Sequence, residues 1–434
     1  MSTVLVKGAH VIDPSQGIDG IADIVIERGV VRSVGESTGA HAGADVIDAK
    51  GLIAAPAFVE IHAHTREPGG EQSETIATGA RAGVVGGYGR VCCMPNTRPV
   101  CDSAMIVRYM CGRSAEAGLA RVHPIAAVTK GLSGAELCEY SALRDAGAVA
   151  FSDDGVPVAD AGVMRRAMQA IGALGMVIMD HCEDMSLTAD GVMHEGAVSM
   201  RLGLPGIPRS SEASVVARDC MLSAETGCRL HICHVSTVTS VEAIREWKKR
   251  GAPVTAEVSP HHLTLTDERV WNERTGEVDT HAKMKPPLCA EDDRLALIEA
   301  LEDGTIDCIA TDHAPHAPAL KDNVFDAAPF GILGLETAFS VLHREFVASG
   351  KWSMANLIER MTIAPARILG EIGGGWGSLA AGCAGDVVLI DPERAWTLTV
   401  ADLGSKSENS PWVGERFGAR VVGTIVGGRV VHRV

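Results

Sequence analysis

The chain has 434 residues, of which 46% are hydrophobic and 22% are charged, enough for a large α/β domain and a smaller one. Its formal net charge of −16 argues against nucleic acid or an anionic membrane as a partner, because both attract surplus Lys and Arg. The sequence has no secretion-signal pattern and no apolar run of about 18 residues. Its twelve cysteines form no CxxC pair, so we expect reduced thiols in a cytoplasmic protein.

Both ends of the chain predict short β-strands. Val4–Val6 begins a series of β-like runs separated by glycine turns, and Gly427–Gly428 separates two β-branched runs as in a hairpin. Neither end has enough apolar residues for two packed sheets. We therefore expect residues 1–56 and 381–434 to build one small β-sandwich domain together.

The middle of the chain, residues 57–380, alternates apolar β-like runs with longer helical stretches. Eight such units predict an α/β fold of the TIM type, a closed parallel (β/α)8 barrel. The eight runs are Val59–His64, Arg90–Met94, Val122–Val128, Ala148–Asp154, Met176–His181, Arg229–His234, Pro253–Val258 and Asp307–Asp312.

Side chains that bind metals lie at the carboxyl ends of these runs. His62 and His64 are two residues apart, so they project from one face of a strand, about 6–7 Å from each other. A single His-x-His is most often an ordinary strand end. Four other runs, however, end in imidazoles or carboxylates, on the face where barrel enzymes keep their sites. These residues are Asp154, His181, His234 and Asp312. Core packing alone does not produce this coincidence.

Strand alternation separates adjacent candidates. Ala150, Ser152 and Asp154 share one face of the fourth run, and small residues suit a barrel interior. Asp154 is therefore predicted to point inward and Asp153 outward. By the same argument His234 points inward and His231 does not.

Four imidazoles and two carboxylates suit two neighbouring divalent ions, zinc above all. The charge of two such ions slightly exceeds the negative charge of Asp154, Asp312 and a bridging hydroxide, so the site stays slightly positive and favours an anionic substrate. The ions would lower the pKa of the bridging water and polarise a carbonyl. The pattern therefore indicates hydrolysis of an amide.

These motifs resemble the amidohydrolase superfamily and, within it, the class I dihydroorotases, over nearly the whole chain. The matching stretches include HAHTREPG (62–69), MPNTRP (94–99), FSDDG (151–155), DHCED (180–184), LGLPGIP (202–208), HICHVST (231–237), TDHAPH (311–316) and SENSP (407–411). The resemblance implies a binuclear zinc centre. In it, His62, His64 and Asp312 bind one ion, His181 and His234 bind the other, and Asp154 bridges. Many members of the superfamily bridge with a carboxylated lysine, so Asp154 counts against a hydantoinase or an allantoinase.

The resemblance also implies a reaction. A dihydroorotase interconverts L-dihydroorotate and N-carbamoyl-L-aspartate in pyrimidine biosynthesis, by attack of a metal-bridging hydroxide. Asp312 would carry the proton, and Arg66, Asn96 and His316 would hold the substrate carboxylate. We expect a homodimer and allow for association with aspartate transcarbamoylase. Two alternatives stay open: another cyclic amidase, and a non-catalytic dihydroorotase-like partner of aspartate transcarbamoylase, which would be expected to lose ligands.

The chain departs from the family pattern around Pro286. Lys285 and Cys289 stand where the family often has Asn or Ser and Arg. Lys285 lies in a loop that we interpret as a lid, away from the ligand positions, so we expect it to affect substrate affinity. His261 and His262 are open between a structural role and a role beside the ligands or substrate. His313 is predicted to be structural.

Overall fold

The computed structural model describes residues 3–36, 43–273 and 275–434. The strands are β1 Thr3–Asp13, β2 Ile18–Glu27, β3 Val30–Gly35, β4 Asp45–Asp48, β5 Ile53–Pro56, β6 Phe58–Ala63, β7 Tyr88–Cys93, β8 Arg121–Pro124, β9 Val177–Asp180, β10 Met193–His194, β11 Gly206–Ile207, β12 Arg229–Ile232, β13 Val254–Val258, β14 Trp271–Asn272, β15 Glu277–Val278, β16 Cys308–Ile309, β17 Val387–Asp391, β18 Trp396–Thr397, β19 Arg416–Phe417, β20 Arg420–Val426 and β21 Arg429–Arg433. The α-helices are α1 Ile76–Val85, α2 Ala104–Ala117, α3 Tyr140–Ala146, α4 Ala161–Gly172, α5 Met185–Thr188, α6 Ala197–Leu202, α7 Arg209–Thr226, α8 Val238–Lys249, α9 Pro260–Thr264, α10 Glu291–Glu302, α11 Pro318–Lys321, α12 Ala338–Leu342, α13 Met354–Met361 and α14 Ile363–Ile368.

The two ends of the chain meet in one mixed sheet. Its strand order is β21-β20-β17-β5-β1-β2-β3, and β4 pairs with β1. The antiparallel pairing of β17 with β5 sets Val388 opposite Ala55, which joins the C-terminal strands to the N-terminal ones. Val6, Ile24 and Val387 are buried in an aliphatic cluster on this sheet. The C-terminal segment therefore completes a sheet that the N-terminal segment begins.

The strands that contain the predicted runs of the middle region are parallel and pair in chain order, whereas the short β14 and β15 form a separate antiparallel pair. One group is β6-β7-β8 and the other is β9-β12-β13-β16. Single parallel bridges connect the groups: Ala126 with Phe151, Phe151 with Ile178, and Ala63 with His313. Each of the eight predicted runs thus pairs with the next, and the eighth pairs with the first. Parallel pairing brings the carboxyl ends of all eight to the same edge.

A buried carboxylate connects the first and eighth runs. Glu60 accepts hydrogen bonds from the backbone N–H of His62 at 2.8 Å and of Thr311 at 3.0 Å. Burial raises the pKa of Glu60 to about 8, although the two N–H donors lower it. Glu60 therefore holds together the two runs that carry His62 and Asp312, at a depth where water does not compete.

Two of the helices that follow the strands, α4 and α8, begin at side-chain caps. Asp160 accepts from Val163 N before α4, and Thr237 accepts from Ser240 N before α8. In α4, Met164, Met168 and Ile171 are buried at helical spacing against the strands. No helix in the described part of the chain is long and apolar enough to cross a membrane.

Candidate metal centre

Four imidazoles surround one carboxylate at the carboxyl ends of the central strands. His62 Nε2 lies 3.3 Å and His64 Nε2 3.5 Å from the nearest oxygen of Asp154. His181 Nδ1 lies 3.6 Å and His234 Nε2 3.8 Å from Asp154 Oδ1. All five residues are buried. Asp154 is therefore the point that the two histidine pairs share, and each pair with Asp154 has a spacing that could hold one metal ion.

The sixth predicted ligand joins one of these pairs. Asp312 Oδ1 lies 3.1 Å from His64 Nε2 and 3.6 Å from His62 Nε2. On the other side, His181 Nδ1 lies 2.9 Å from His234 Nε2. The structure thus brings all six side chains together, and the ring centroids of His62 and His234, one from each predicted group, lie 4.9 Å apart.

The donor atoms fit metal cations. His62 Nε2 and Asp154 Oδ1 face each other but are buried with no hydrogen-bond partner. Buried polar atoms without partners are costly and rare, and a shared cation would satisfy both. Imidazole nitrogens combined with carboxylate oxygens are the ligands of zinc and related divalent ions.

Three of the four imidazoles are oriented by an oxygen on the ring nitrogen that points away from Asp154. Such partners select the tautomer and turn the free nitrogen toward the metal. The pairs are His62 Nδ1 with Glu257 Oε1 at 2.5 Å, His64 Nδ1 with Asn96 Oδ1 at 2.9 Å, and His181 Nε2 with Glu183 Oε2 at 3.1 Å. Glu257 also lies 3.0 Å from His231 Nε2, so it connects His62 to a second buried imidazole.

Sequence reasoning missed Glu257 and Glu183. Glu183 follows His181 by two residues in DHCED, and Glu257 is a charged residue near the end of the apolar seventh run. The available signal was the carboxylate of Glu257 within an apolar run. A buried carboxylate without a partner is rarely tolerated, so its position indicated a buried cationic or imidazole partner.

The charges of the site are those a cation centre needs. Burial alone would raise the pKa of Asp154, but the charges of the surrounding imidazoles, that of His62 above all, hold it well below its usual value. Burial acts in the same way on Asp312, and the hydrogen bond from His64 together with the charge of His62 lowers its pKa. Both carboxylates are therefore negative at neutral pH.

Three site residues have strained backbones. Among the described non-glycine residues with positive φ are Arg66 at 58°, His234 at 33° and Asp312 at 48°. This conformation costs roughly 1–3 kcal/mol per residue and persists where surrounding contacts enforce it. The backbone strain therefore lies at residues whose side chains must point into the predicted site.

Asp153 and His313, the sequence neighbours of Asp154 and Asp312, point away from the ligand cluster, as strand alternation predicts. Asp153 accepts from the N–H of Val128 at 2.8 Å and of Thr129 at 3.0 Å, away from the histidines. His313 Nδ1 accepts from Gly334 N at 3.2 Å, which is a structural role.

The three predicted substrate residues are divided between two places. Arg66 Nη2 lies 3.5 Å from His316 Nε2, and Arg66 Nε donates to the carbonyl oxygen of Pro315 at 3.1 Å. Asn96 instead lies against the ligands, with its Nδ2 3.4 Å from Asp154 Oδ2. Arg66 and His316 therefore form a pair, while Asn96 orients His64.

The loop that carries Arg66 is anchored by the next residue. Glu67 accepts from Ile76 N, Tyr109 Oη and Arg113 Nε, each at 2.8 Å. The anchor ties the loop to the first turn of α1 and to α2, so the left-handed conformation of Arg66 is held from outside.

His316 is held in place by Asn409. The side chain of Asn409 accepts from His316 N at 3.1 Å and donates to the carbonyl oxygens of Ala314 and Gly331 at 3.0 Å each. A Cβ at Gly331 would lie 2.9 Å from His316 Nε2, and Gly331 has a φ of 133°. The SENSP segment near the C-terminus thus shapes the site although it carries no ligand.

The expectation for Lys285 is wrong in one respect. Its Nζ lies 2.9 Å from Glu183 Oε1, and Glu183 is the carboxylate that contacts His181. Lys285 comes this close because the loop after the seventh run folds back over the end of the fifth. Cys289 is buried, and its Sγ contacts the carbonyl oxygen of Pro287 at 3.3 Å.

The two adjacent histidines of the SPHH segment differ. His262 Nδ1 lies 2.6 Å from Ser259 Oγ, and its Nε2 lies 3.0 Å from the carbonyl oxygen of Pro286. These contacts give His262 a structural role. His261 is buried and neither ring nitrogen has a hydrogen-bond partner, so a role for its ring stays a prediction.

Comparison with known proteins agrees with the motifs. A model of the dihydro-orotase-like family matches residues 51–240. The chain is 50% identical over 433 residues to the dihydroorotase of Anaeromyxobacter dehalogenans, covering 100% of this chain and 98% of that relative. It is 48% identical over 430 residues to the dihydroorotase of Pelotomaculum thermopropionicum, covering 99% and 98%. The chain belongs to the dihydroorotase family.

Solved structures place this dihydroorotase family member among enzymes with a common fold. The L-hydantoinase (dihydropyrimidinase) from Arthrobacter aurescens superposes with a TM-score of 0.85 at 26% identity, covering 100% of this chain and 96% of that one. The dihydropyrimidinase from Brevibacillus agri gives a TM-score of 0.82 at 22% identity, covering 99% and 95%. The mixed α/β architecture is therefore shared with hydantoinases, and the residues of the site have to distinguish the chemistry.

Proposed function

We propose that the protein is a zinc-dependent dihydroorotase, which interconverts L-dihydroorotate and N-carbamoyl-L-aspartate in pyrimidine biosynthesis. The observation that carries this proposal is the arrangement of four imidazoles around Asp154 with the Arg66–His316 pair nearby. The imidazoles around Asp154 suit metal-assisted hydrolysis of an amide, and the Arg66–His316 pair suits a substrate that bears a carboxylate.

We also propose that the consecutive parallel pairings form a closed (β/α)8 barrel over residues 57–380. The bridge from Ala63 to His313 supports closure, because it returns the eighth run to the first. Residues 1–56 and 381–434 would then form the small β-sandwich domain. The strands that both ends contribute to one sheet support this assignment.

We assign one zinc ion to His62, His64 and Asp312, and the other to His181 and His234, with Asp154 between them. When bound, the ions would activate a water molecule and polarise the amide carbonyl. Of the two alternatives, the non-catalytic one is disfavoured because all six ligand positions are filled and converge.

Asp312 is the proposed proton carrier. As water attacks the ring carbonyl, an oxygen of Asp312 takes its proton, and it then delivers this proton to the ring nitrogen that leaves. The lowered pKa of Asp312 keeps its carboxylate deprotonated at neutral pH, so it is free to accept a proton. In ring closure the same carboxylate takes the proton from the amide nitrogen.

Arg66 supplies the charge that holds the substrate carboxylate. Burial, and the nearby charge of Arg66, lower the pKa of His316 to about 3, so the imidazole is neutral at physiological pH. His316 Nε2 is 2.7 Å from the carbonyl oxygen of Phe330, so it donates its proton there. We therefore assign the ionic contact to Arg66, and assign to His316 and Asn96 the shape and polarity around it.

The protein has twelve free cysteines, ten of them buried, which supports a reducing, cytoplasmic location.

The proposed partner is the small-molecule substrate. A homodimer remains our expectation, and association with aspartate transcarbamoylase is to be tested separately.

One experiment tests the proposal as a whole. Purified protein should contain about two zinc ions per chain and hydrolyse dihydroorotate far better than hydantoin, allantoin or dihydrouracil. A preference for a ring without a carboxylate would favour the alternative cyclic amidase. Two bound ions with no turnover of any ring would favour the non-catalytic partner.

A further inference from the structure

A line of three side chains, joined by two contacts, runs from the surface to one half of the metal centre. His181 Nε2 contacts Glu183 Oε2 at 3.1 Å, and Glu183 Oε1 contacts Lys285 Nζ at 2.9 Å. The exposed fraction of the side chain rises along this line, from 4% for His181 and 6% for Glu183 to 22% for Lys285. The other ring nitrogen of His181 faces Asp154. A charge at Lys285 is therefore transmitted to a ligand through one carboxylate.

Glu183 is fixed on both oxygens. Besides Lys285, its Oε1 accepts from Thr188 Oγ1 at 2.5 Å. The pair borders a small cavity of about 20 Å³. The other basic side chain that lines this cavity, Arg209, is engaged by Asp292 and Asp293. Lys285 is thus the cation that neutralises Glu183.

Among the described residues, no lysine or arginine contacts Glu257, the carboxylate behind His62 in the other half of the centre. Glu257 contacts His62 at 2.5 Å, and its second oxygen contacts His231, so the negative charge is shared between two imidazoles. A carboxylate on the far nitrogen makes an imidazole a stronger ligand. A lysine beside that carboxylate weakens this strengthening of the imidazole, because the ammonium offsets the negative charge of the carboxylate and repels the metal cation.

We propose that Glu183 and Lys285 together set the zinc affinity of the His181 half-site, with Glu183 as the positioning residue that strengthens His181 and Lys285 as the counter-charge that weakens it. This inference rests on the proposed binuclear centre. It makes the His181 half-site the weaker of the two, filled second and emptied first.

The test is competition of Zn²⁺ between the protein and a chelator, with two binding steps resolved. Glu183→Gln should weaken the second step by about 10- to 100-fold, the usual cost of losing such a partner. Lys285→Met should strengthen the same step by about 3- to 30-fold, since it removes a positive charge. Lys285→Arg keeps the charge and should resemble the wild type. The double variant Glu183→Gln/Lys285→Met should fall between the single variants.

The opposite signs separate this role from a merely structural one. Loosening of the loop would weaken zinc binding in every variant. Lys248→Met is a matched control: Lys248 is also 22% exposed and its Nζ lies 2.6 Å from Asp307 Oδ2, but Asp307 contacts the backbone of Ala256 and no ligand. It should leave both steps unchanged.

Two results would overturn the inference. Zinc affinity that falls in both single variants would show that the pair is structural, and affinity that changes in neither would show that the charges do not reach His181. Failure of the wild type to bind two zinc ions would instead refute the proposed centre itself, so the two failures are distinguishable.

Discussion

The floor and the rim of the site are built differently. The floor consists of the six predicted ligands at the strand ends, all buried and within 4 Å of a neighbouring ligand. The rim consists of Arg66 and His316, which are half-buried on loops. Arg113 in α2 holds the Arg66 loop through Glu67, and Asn409 from a distant segment holds His316. The floor depends on strand geometry, whereas the rim depends on long-range contacts between loops.

The difference indicates a division of work. Under the proposed function, floor residues would hold the cations that act on the cyclic amide, and rim residues would decide which ring is accepted. The fold itself is shared with a hydantoinase. Changes in the floor should therefore affect all substrates and the metal content together, and changes in the rim should affect substrates that bear a carboxylate.

Removal of the metal should have the largest effect. A chelator should abolish activity toward dihydroorotate and dihydrouracil alike, and Zn²⁺ should restore both, because the ligand set binds the ions that carry the chemistry. The measurement is activity against metal content in one preparation. A fully active metal-free protein would disprove the role of the floor.

Asp154→Ala should lower kcat/KM by roughly a thousand-fold or more for both substrates, because the two cations lose the anion between them. The fold should survive, since one end-of-strand side chain is removed. Metal content and a thermal unfolding curve check the two parts. Retention of two zinc ions with substantial activity would contradict the shared-ligand assignment.

Arg66→Met should separate the rim from the floor. Loss of one partner of a desolvated charge pair costs about 2–5 kcal/mol, so kcat/KM for dihydroorotate should fall by roughly 30- to 4,000-fold. Dihydrouracil has no carboxylate, so its poor turnover should hardly change, and zinc content should stay constant. If both substrates fall in parallel, Arg66 supports the site structurally and the carboxylate assignment must be withdrawn.

Asp153→Ala should have the smallest effect on catalysis and is the control for Asp154. It leaves two buried N–H groups without their acceptor, which should cost about 1–3 kcal/mol of stability. Zinc content should be unchanged and kcat/KM should change by only a few-fold. A loss of activity equal to that of Asp154→Ala would overturn the facing argument.

The convergence of the six candidate ligands could be predicted from the sequence because it follows from local geometry. Side chains two residues apart on a strand share a face, so His62 and His64 belong together and Asp154 is distinguished from Asp153 without any tertiary information. Parallel runs that end in such residues place them on one edge. The motifs then indicated the family, because this combination of ligands and Arg66 is specific.

Tertiary structure decided everything that depends on residues far apart in the chain. Glu257 behind His62, Asn409 behind His316 and Lys285 beside Glu183 are each brought in by the fold, and a single sequence has no short-range period that pairs them. The same holds for the terminal strands, whose β5–β17 pairing joins residues over 300 positions apart. Strand alternation specifies which way a side chain points, but the packing of loops and chain ends specifies what it meets there.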